Sequence, residues 1–335
     1  MLASGEMTIA ALAILLLTAC TSGTAAQPTI SPSPTQAPSS PSPTPSPSPQ
    51  PLQRVEASLP APVEETAAAA ANGNLYVMGG FNPAGASLDS VYVYDGASWR
   101  PGPRLPLPLD HPSATSFEGD VYIAGGHSNG QDSARMFRLE GGRWNELASM
   151  HFARGGHALV AVSGELYAIG GSTARGNVVA IEAYDPSANA WTTVGSLPQP
   201  RNHVMGFVLG VAACVAGGRS PTTARVDCFD TPQQLMFHPL SLPAATSAGG
   251  AATFPDGDVI VAGGEDASET RIVDQFVLFG PGGPWVSAGS MMSPRHGFQL
   301  AVYGGRAWAC GGGSAPGLHP VATCTSLGDP AASNG

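Results

Sequence analysis

A glycine pair returns six times along this chain of 335 residues. Successive pairs lie 45 to 48 residues apart. A period of this size indicates a repeat array, in which one unit cannot bury its own apolar face and stacked neighbours build a continuous core. The chain is therefore restricted to a repeat architecture. The six pairs are Gly79-Gly80, Gly125-Gly126, Gly170-Gly171, Gly217-Gly218, Gly263-Gly264 and Gly311-Gly312.

Each repeat is predicted to contain four short β-strands. A run rich in Val, Ile and Tyr ends at every glycine pair and is too short for a helix. Polar turns such as Asn72-Gly73-Asn74 precede several of these runs and favour a tight hairpin, because glycine accepts a positive φ at no steric cost. A further strand follows each pair, and an aromatic residue opens the last strand of the first five repeats. These aromatic residues are Trp99, Trp144, Trp191, Phe237 and Trp285.

Four-stranded sheets arranged radially leave only short, protected edges, so such a chain closes into an all-β propeller with one blade per repeat. The double glycine, the spaced tryptophan and the Tyr-Asp pairs at Tyr94-Asp95 and Tyr184-Asp185 resemble the kelch repeat. Residues 53–328 are thus similar to a six-bladed kelch-type β-propeller of the galactose oxidase/kelch-like superfamily. A glycine-rich β-sandwich is the alternative, and it does not explain so constant a period.

Closure of the ring is also predicted. The sixth repeat ends near Leu327 with no tryptophan-led strand after it. Near the other end of the chain, residues 55–60 resemble residues 194–198, which follow Trp191 in the third repeat. We therefore predict that residues 53–59 form the N-terminal strand that closes the last blade and ties the two ends together.

The beginning of the chain predicts export. Residues 8–19 form an apolar run with the length of a signal-peptide core. Leu17-Thr18-Ala19-Cys20 resembles the bacterial lipobox, in which the cysteine is lipid-modified and becomes the new N-terminus. We expect a lipoprotein signal peptide over residues 1–20 and lipidation of Cys20, although residues 1–7 carry Glu6 and neither Lys nor Arg. An ordinary secretory peptide with a chance cysteine is the alternative.

Composition extends this interpretation. Residues 21–52 are rich in Ser, Thr and Pro and are predicted to be a disordered linker, with a disordered tail over residues 329–335. The formal net charge of −10 argues against a nucleic-acid partner, because nucleic acids select a basic face. We predict an exported protein that is held at the bacterial membrane only through its lipid anchor.

The remaining four cysteines form two pairs, each 14 residues apart. Cys214 and Cys310 precede a glycine pair, and Cys228 and Cys324 lie in the next strand of the same repeat. Neighbouring antiparallel strands bring opposed Cβ atoms to about 4.5–5.5 Å, near disulfide range, and an exported protein meets an oxidising compartment. We predict the disulfides Cys214–Cys228 and Cys310–Cys324, with four buried free thiols as the alternative. Cysteine pairs in separate blades without a CxxC spacing do not predict zinc.

Kelch propellers place the loops before the first strand and after the second strand on one face, around the central channel. The resemblance implies that these loops supply a ligand pocket. Glu65, His111 and His203 each stand third in the segment before a first strand and are expected to point to the channel mouth, with His157 and His296 beside them. The loops after the glycine pairs add Asn82, His127, Asn129, Arg175, Arg219, Glu265 and Asp266. A ring of Glu, His, Arg and Asn is typical of a binding site.

Structural roles remain open for several of these side chains. Arginines stand first in three of the same segments, at Arg154, Arg201 and Arg295. Kelch repeats often carry arginine there to brace backbone carbonyls, which favours structure over ligand contact. Any single histidine fits an ordinary surface role as well as a functional one.

The chain contains no nucleophile motif, HExxH, glycine-rich phosphate loop or EF-hand stretch, so no catalytic residue, cofactor or metal is predicted. A galactose-oxidase copper site is not expected either, because strand packing explains each tyrosine.

The preferred hypothesis is an envelope lipoprotein that displays the propeller as a binding module for an extracellular or envelope protein, a peptide or a glycan. The alternative enzyme is a sugar epimerase or mutarotase resembling bacterial sialic acid mutarotase, with Glu65 and His111 or His203 as acid–base groups. A scaffold without a small-molecule site is the third hypothesis.

Overall fold

The computed structural model describes residues 52–280 and 282–329, which form strands, turns and loops. The predicted signal peptide, Cys20 and nearly all of the predicted linker and tail lie outside the described residues. Among the described residues, no helix is long and apolar enough to cross a bilayer.

Six antiparallel sheets, numbered as blades 1 to 6 in the order of their first strands, surround a central channel. The first strands contact one another in a closed ring, and the fourth strands lie farthest from the channel. This arrangement is the all-β six-bladed propeller that the glycine period predicts. Innermost first, the strands are Ala67–Ala71, Asn74–Met78, Val91–Tyr94 and Trp99–Pro101 in blade 1; Ser113–Phe117, Asp120–Ala124, Met136–Glu140 and Arg143–Leu147 in blade 2; Gly155–Val162, Glu165–Thr173, Ala180–Asp185 and Ala190–Ser196 in blade 3; Met205–Leu209, Ala212–Ala216, Val226–Asp230 and Leu235–Phe237 in blade 4; Gly250–Thr253, Val259–Ala262, Gln275–Phe279 and Val286–Ser290 in blade 5; and Ala301–Tyr303, Arg306–Cys310, Cys324–Gly328 and Gln53–Glu56 in blade 6. Two short additions, His127–Ser128 paired with Gln131–Asp132 and the strand Gly176–Asn177, lie in the loops after the second strands of blades 2 and 3.

Blade 6 combines the two ends of the described chain. Gln53–Glu56 pairs antiparallel with Cys324–Gly328, and the strand ends three residues before the predicted end at residue 59. The Gln53 amide also reaches blade 5, where its Nε2 donates to Ser290 O (2.8 Å) and its Oε1 accepts from Met292 N (2.8 Å). The N-terminal strand therefore contacts two blades.

The apolar core is divided into six clusters, one between each pair of neighbouring blades. Tryptophan indoles add hydrogen bonds across the same interfaces. Trp144 Nε1 donates to Pro103 O (2.8 Å) and Trp191 Nε1 donates to Ala148 O (2.8 Å), each reaching the end of the preceding blade. Each blade thus buries its two faces against its neighbours, which is the physical reason that the repeats must stack.

Both predicted disulfides are confirmed. Cys214 lies opposite Cys228 in blade 4, Cys310 lies opposite Cys324 in blade 6, and each pair is bonded. All four cysteines are buried in the clusters between blades. Each disulfide therefore links the second strand of its blade to the third.

The glycine pairs bring two loops together at one end of the channel. Gly80 has a φ of +92°, and a Cβ at this position would meet the backbone oxygen of Glu64. This close approach lets Glu64, before the first strand, form a bridge with Phe81, directly after the pair. Equivalent bridges join Asp110 to His127 and, in blades 4 to 6, Asn202 to Arg219, Ser247 to Glu265 and His296 to Gly313. The repeated glycines therefore position the loops of the channel mouth.

Candidate functional site

A backbone ring, which we call the mouth collar, surrounds the channel axis at the end where these loops meet. It consists of one residue per blade: Glu65, His111, Gly156, His203, Ala248 and Gly297. All six have a φ between +50° and +63°. Backbone hydrogen bonds join neighbours at five of the six steps, for example from His111 N to Glu65 O (3.0 Å) and from Gly297 N to Ala248 O (2.7 Å). The collar thus holds side chains from separate blades at fixed positions around one axis.

The Glu65 carboxylate lies at the centre of three imidazoles. Its Oε2 is 3.5 Å from His111 Nε2, and its Oε1 is 3.9 Å from His203 Nε2 and 4.0 Å from His296 Nδ1. These side chains are largely buried, with exposed fractions from 5% for His296 to 16% for His111. The rings of His111 and His203 meet edge to face, with their centroids 5.0 Å apart. The structure therefore brings four of the predicted site residues into one recess.

The two collar histidines have opposite pKa shifts. Burial alone would lower the pKa of His111, but the carboxylates of Glu65 and Asp110 raise it above its usual value, and His111 Nδ1 lies 2.7 Å from Asp110 Oδ1. Burial and the neighbouring Arg219 guanidinium hold the pKa of His203 well below its usual value. His203 Nε2 accepts a hydrogen bond from Arg219 Nη2 (2.8 Å), which requires an unprotonated nitrogen. The surroundings of the two rings thus favour a proton on His111 over one on His203.

Buried acidic groups lie directly behind the collar. Burial raises the pKa of Glu64 to about 7, against the opposing effect of His296, and Glu64 Oε2 accepts a hydrogen bond from His319 N (2.8 Å). Burial likewise raises the pKa of Glu265, although His296 and Arg219 oppose the shift. Arg219 Nη1 donates to Glu265 Oε2 (2.9 Å). Proton binding in this layer is therefore sensitive to pH near neutrality.

A second cavity, which we call the side pocket, opens beside His111 between the loops of blades 1 and 2. It has a volume of about 430 Å³. Its lining includes Phe81, Ser87, Asp110, His111, His127 and Asn129. The ring of His127 lies 5.6 Å from that of His111, and its Nδ1 is 3.0 Å from Asp132 Oδ1. The side pocket therefore adds an aromatic surface and hydrogen-bonding groups next to the collar.

Three of the predicted site residues lie in the outer loops and not in the recess around Glu65. Asn82 Oδ1 accepts hydrogen bonds from the backbone of its own turn, at Ala84 N (2.9 Å) and Ala86 N (3.0 Å). Asp266 organises its loop in a similar way, and the hydroxyl of Ser268 chiefly lowers its pKa to about 2. Arg175 is exposed in a tight turn of blade 3. Asn82 and Asp266 stabilise their own loops, Arg175 is exposed on its loop, and none of the three contacts Glu65.

The three arginines that stand first in their segments brace the glycine pairs. Arg154, Arg201 and Arg295 are at most 1% exposed. Each donates to the carbonyl oxygen of the first glycine of its own pair, as in Arg154 Nη1 to Gly170 O (3.0 Å) and Arg295 Nη1 to Gly311 O (2.8 Å). Their role is structural, in agreement with the interpretation that the sequence favours.

Sequence reasoning missed the groups that orient the collar. Asp110 and Asn202 hold the rings of His111 and His203. Each stands directly before its histidine in the sequence, and this position was the signal from which the contact could have been predicted. Gln299 was also missed. Its side chain crosses the channel from blade 6, accepting from Ala68 N (3.2 Å) and donating to Ala114 O (2.6 Å). Gln299 stands between Phe298 and Leu300, just before the first strand of blade 6, and a lone glutamine among apolar residues gave no sign of this bridge.

His157 lines the same recess below the collar and is 4% exposed. Among the described residues, neither of its ring nitrogens has a hydrogen-bond partner. Burial and then the charge of Arg154 hold its pKa well below the usual value. The folded protein therefore keeps this imidazole neutral.

Replacing His157 with leucine is expected to make the protein less sensitive to acid. In the wild type, the unfolded chain protonates His157 below pH of about 6.5 while the folded chain does not, so stability is lost as the pH falls through this value. One such group contributes a slope of up to about 1.4 kcal/mol per pH unit. Urea unfolding of both proteins at pH 7, 6 and 5 measures the difference. His319→Gln, which changes an exposed side chain, is the control, and an unchanged pH slope in His157→Leu would contradict the prediction.

A family model described as the KLHDC2/KLHL20/DRC7 Kelch-repeats domain matches residues 50–218, half of the chain. Among curated proteins, the chain is similar to Kelch-like protein 35 of Mus musculus, with 27% identity over 195 residues that cover 56% of this chain and 32% of that protein. It is also similar to Kelch repeat and BTB domain-containing protein 13 of Homo sapiens, with 46% identity over 61 residues that cover 18% of this chain and 13% of that protein. The chain spans a third or less of the length of these relatives.

Among solved structures, the chain is similar to YjhT. The two align with a TM-score of 0.67 and 16% identity, covering 80% of this chain and 95% of the other. At this identity the likeness shows the fold alone.

Proposed function

Because this chain belongs to the KLHDC2/KLHL20/DRC7 family of Kelch-repeats domains, we propose that it is a binding module that takes a glycan at the mouth of its channel. In this proposal, the lipobox at Cys20 anchors the module to the outer side of a bacterial membrane, and residues 21–52 hold it away from that membrane. Kelch propellers commonly bind protein partners, so a surface protein or peptide is the other occupant to be tested.

The observation that carries the proposal is the recess formed by the collar and the side pocket. Glu65, His111 and His203 come from three blades and meet at one point without serving the apolar core. Beside them, Phe81 packs edge to face against His111 with ring centroids 5.5 Å apart and borders the side pocket. Recessed polar groups next to an aromatic ring match a sugar, which has hydroxyls at its edge and apolar C–H groups on its faces.

The charge of the mouth favours a neutral or amine-bearing ligand. Glu64, Glu65 and Glu265 surround the recess. The guanidinium of Arg219 is already engaged by Glu265 (2.9 Å) and Glu269 (3.2 Å). An anionic sugar would meet this acidic surface with its own negative charge, which is unfavourable at short range. We therefore expect neutral hexoses and amino sugars to bind in preference to sialic or uronic acids.

Binding of such a sugar is expected to weaken about tenfold or more in Glu65→Gln, because a hydrogen bond to a charged carboxylate is worth about 1.5–3 kcal/mol. A panel of neutral, amino and acidic sugars is first screened by the shift in melting temperature, and the affinity of the best binder is then measured by calorimetry. Glu146→Gln is the matched control, since Glu146 is exposed on blade 2 and paired with Arg135 away from the mouth. A preference for acidic sugars, or equal affinities in Glu65→Gln and the wild type, would refute the proposal.

A sugar mutarotase is the second candidate, and the opposite pKa shifts of the two collar histidines favour it. The raised pKa of His111 favours it as the proton donor, and His203 Nε2 can accept a proton once Arg219 moves aside. Ring opening and closure of a sugar needs only such a pair of acid and base groups. Exchange between the anomers of the bound sugar, followed by NMR, distinguishes the two functions. Acceleration by the wild type that is lost in His111→Gln supports the enzyme, and wild-type rates equal to those in buffer support binding alone.

A further inference from the structure

Three imidazole nitrogens face Glu65 at distances that hydrogen bonds do not explain. The separations from its carboxylate oxygens are 3.5 Å for His111 Nε2, 3.9 Å for His203 Nε2 and 4.0 Å for His296 Nδ1. Hydrogen bonds between such atoms are about 2.7–3.2 Å long. Two ligand atoms of one tetrahedral zinc ion, each about 2.0–2.2 Å from the metal, lie about 3.3 Å apart. The observed spacing is therefore closer to that of ligands that share a cation.

The other nitrogen of each ring fixes the direction of its lone pair. His111 Nδ1 faces the carboxylate of Asp110 (2.7 Å), and His203 Nδ1 faces the amide oxygen of Asn202. His296 Nε2 faces the carbonyl of Ala315 (3.0 Å). These oxygens only accept hydrogen bonds, so we assign the proton to the nitrogen that faces each of them. In the neutral rings, the remaining nitrogens of His111 and His296 face Glu65 with a lone pair. That of His203 lies 3.9 Å from Glu65 Oε1 and accepts a hydrogen bond from Arg219 Nη2.

An oxygen acceptor behind a histidine is the usual support of a metal ligand. It fixes the tautomer and orientation of the ring and makes the free nitrogen a better donor. Asp110 and Asn202 each provide this support to the histidine that follows them in sequence. The collar therefore contains both the ligands of a metal site and the groups that orient them.

We propose that Glu65, His111, His203 and His296 bind a divalent transition-metal ion of the zinc type at the mouth collar. The donor atoms of Glu65, His111 and His203 already lie within 4.8 Å of one another. Imidazole nitrogens with one carboxylate suit zinc, copper and nickel better than calcium or magnesium, which prefer oxygen ligands.

His296 supplies an independent observation. Its side chain is 5% exposed, and its Nδ1 has no hydrogen-bond partner among the described residues. This atom faces Glu65 Oε1 (4.0 Å) and Glu265 Oε1 (3.8 Å). A buried lone pair that faces two carboxylates is unfavourable unless a proton or a metal cation lies between them. A metal ion at the collar removes this conflict.

Arg219 competes with the metal for one ligand. Its Nη2 lies 2.8 Å from His203 Nε2, so the guanidinium must move before His203 can coordinate. Its side chain is 23% exposed and lies in the loop after the glycine pair of blade 4, where it can turn outward. Displacement of this arginine therefore couples metal binding to the position of that loop.

The inference goes beyond the proposed glycan binding and does not depend on it. Because metal binding is measured without any sugar, failure of one proposal leaves the other testable.

The test is titration of the full-length, metal-free chain with Zn²⁺ in the calorimeter and with Co²⁺ by visible absorption. We expect one ion per chain, with affinity at least tenfold lower in Glu65→Gln and in His111→Gln. Asp110→Asn is expected to weaken binding about 10–100-fold, because it alters the support of His111 without removing a ligand. Circular dichroism and melting temperatures without metal establish that each variant is folded.

Two further variants complete the test. His238→Gln changes an exposed histidine on blade 4 and is expected to bind Zn²⁺ as the wild type does. Arg219→Gln is expected to bind Zn²⁺ severalfold more tightly, and an equal or lower affinity would exclude His203 as a ligand. Loss of binding in His238→Gln, wild-type affinity in His111→Gln, or Mg²⁺ binding as tight as Zn²⁺ binding would overturn the proposal.

Discussion

Replacing Arg154 with methionine is expected to lower the free energy of unfolding by about 3–5 kcal/mol, because it leaves a buried carboxylate without its counter-ion. Arg154 and Glu182 are both fully buried, and Arg154 Nη2 donates to Glu182 Oε2 (2.6 Å). The same guanidinium also donates to the carbonyls of Gly170 and Ala180 (3.0 Å each), which lose this donor in the variant. Urea unfolding at pH 7 measures the change.

Two variants separate the charge from the loss of packing. Arg154→Met combined with Glu182→Gln is expected to recover a large part of the lost stability, because the amide has no charge to bury. Arg135→Met is the matched surface control, since Arg135 and Glu146 are 43% and 48% exposed and such pairs contribute about 0.2–1 kcal/mol. Equal losses in Arg154→Met and Arg135→Met would show that the buried pair does not stabilise the blade.

Replacing Gly264 with alanine is expected to cost about 2–5 kcal/mol. Gly264 has a φ of +98°, and the left-handed region costs a residue with a Cβ about 1–2 kcal/mol. The new Cβ would also collide with the backbone oxygen of Ser247 and the hydroxyl of Thr246, and overpacking of this kind costs about 1–3 kcal/mol more. The loops of blade 5 must then separate at the mouth. The decrease in melting temperature and the urea midpoint measure the effect.

Gly164→Ala is the matched control for this substitution. Gly164 has a similar φ of +86°, but its Cβ would meet no atom within 4 Å. It should therefore show only the conformational cost of about 1–2 kcal/mol. If both variants lose the same stability, backbone strain and not close approach is the reason for the glycine pairs.

The repeat-level features of the fold were predictable because their signals are local. The turns before the second strands, the strand lengths and the cysteine spacing all lie within one repeat, and the glycine pair that aligns the repeats occurs six times. Even the side-chain roles that repeat could be inferred, such as the bracing of Gly170 by Arg154. Position within the repeat also predicted that Glu65, His111 and His203 lie at the channel mouth, and the structure brings the three side chains together there.

The rest of the site could not be predicted, because it depends on contacts between repeats. The outer-loop residues Asn82 and Asp266 have the composition of ligand-binding groups, but they satisfy their own turns. Gln299 bonds to Ala68 and Ala114, which are 231 and 185 residues away in sequence. Such partners are visible only when six blades surround one axis.

The sequence alone therefore determined the number of blades, the four strands of each blade, the two disulfides and the face that carries the mouth. These properties follow from short-range spacing and from the need of each blade to cover its neighbours. Only the tertiary structure decided which groups face each titratable side chain and in which direction its pKa shifts. His111 and His203 have the same side chain at equivalent positions, yet their pKa values shift in opposite directions. Burial acts on both, and the carboxylates near one and the guanidinium near the other decide the sign.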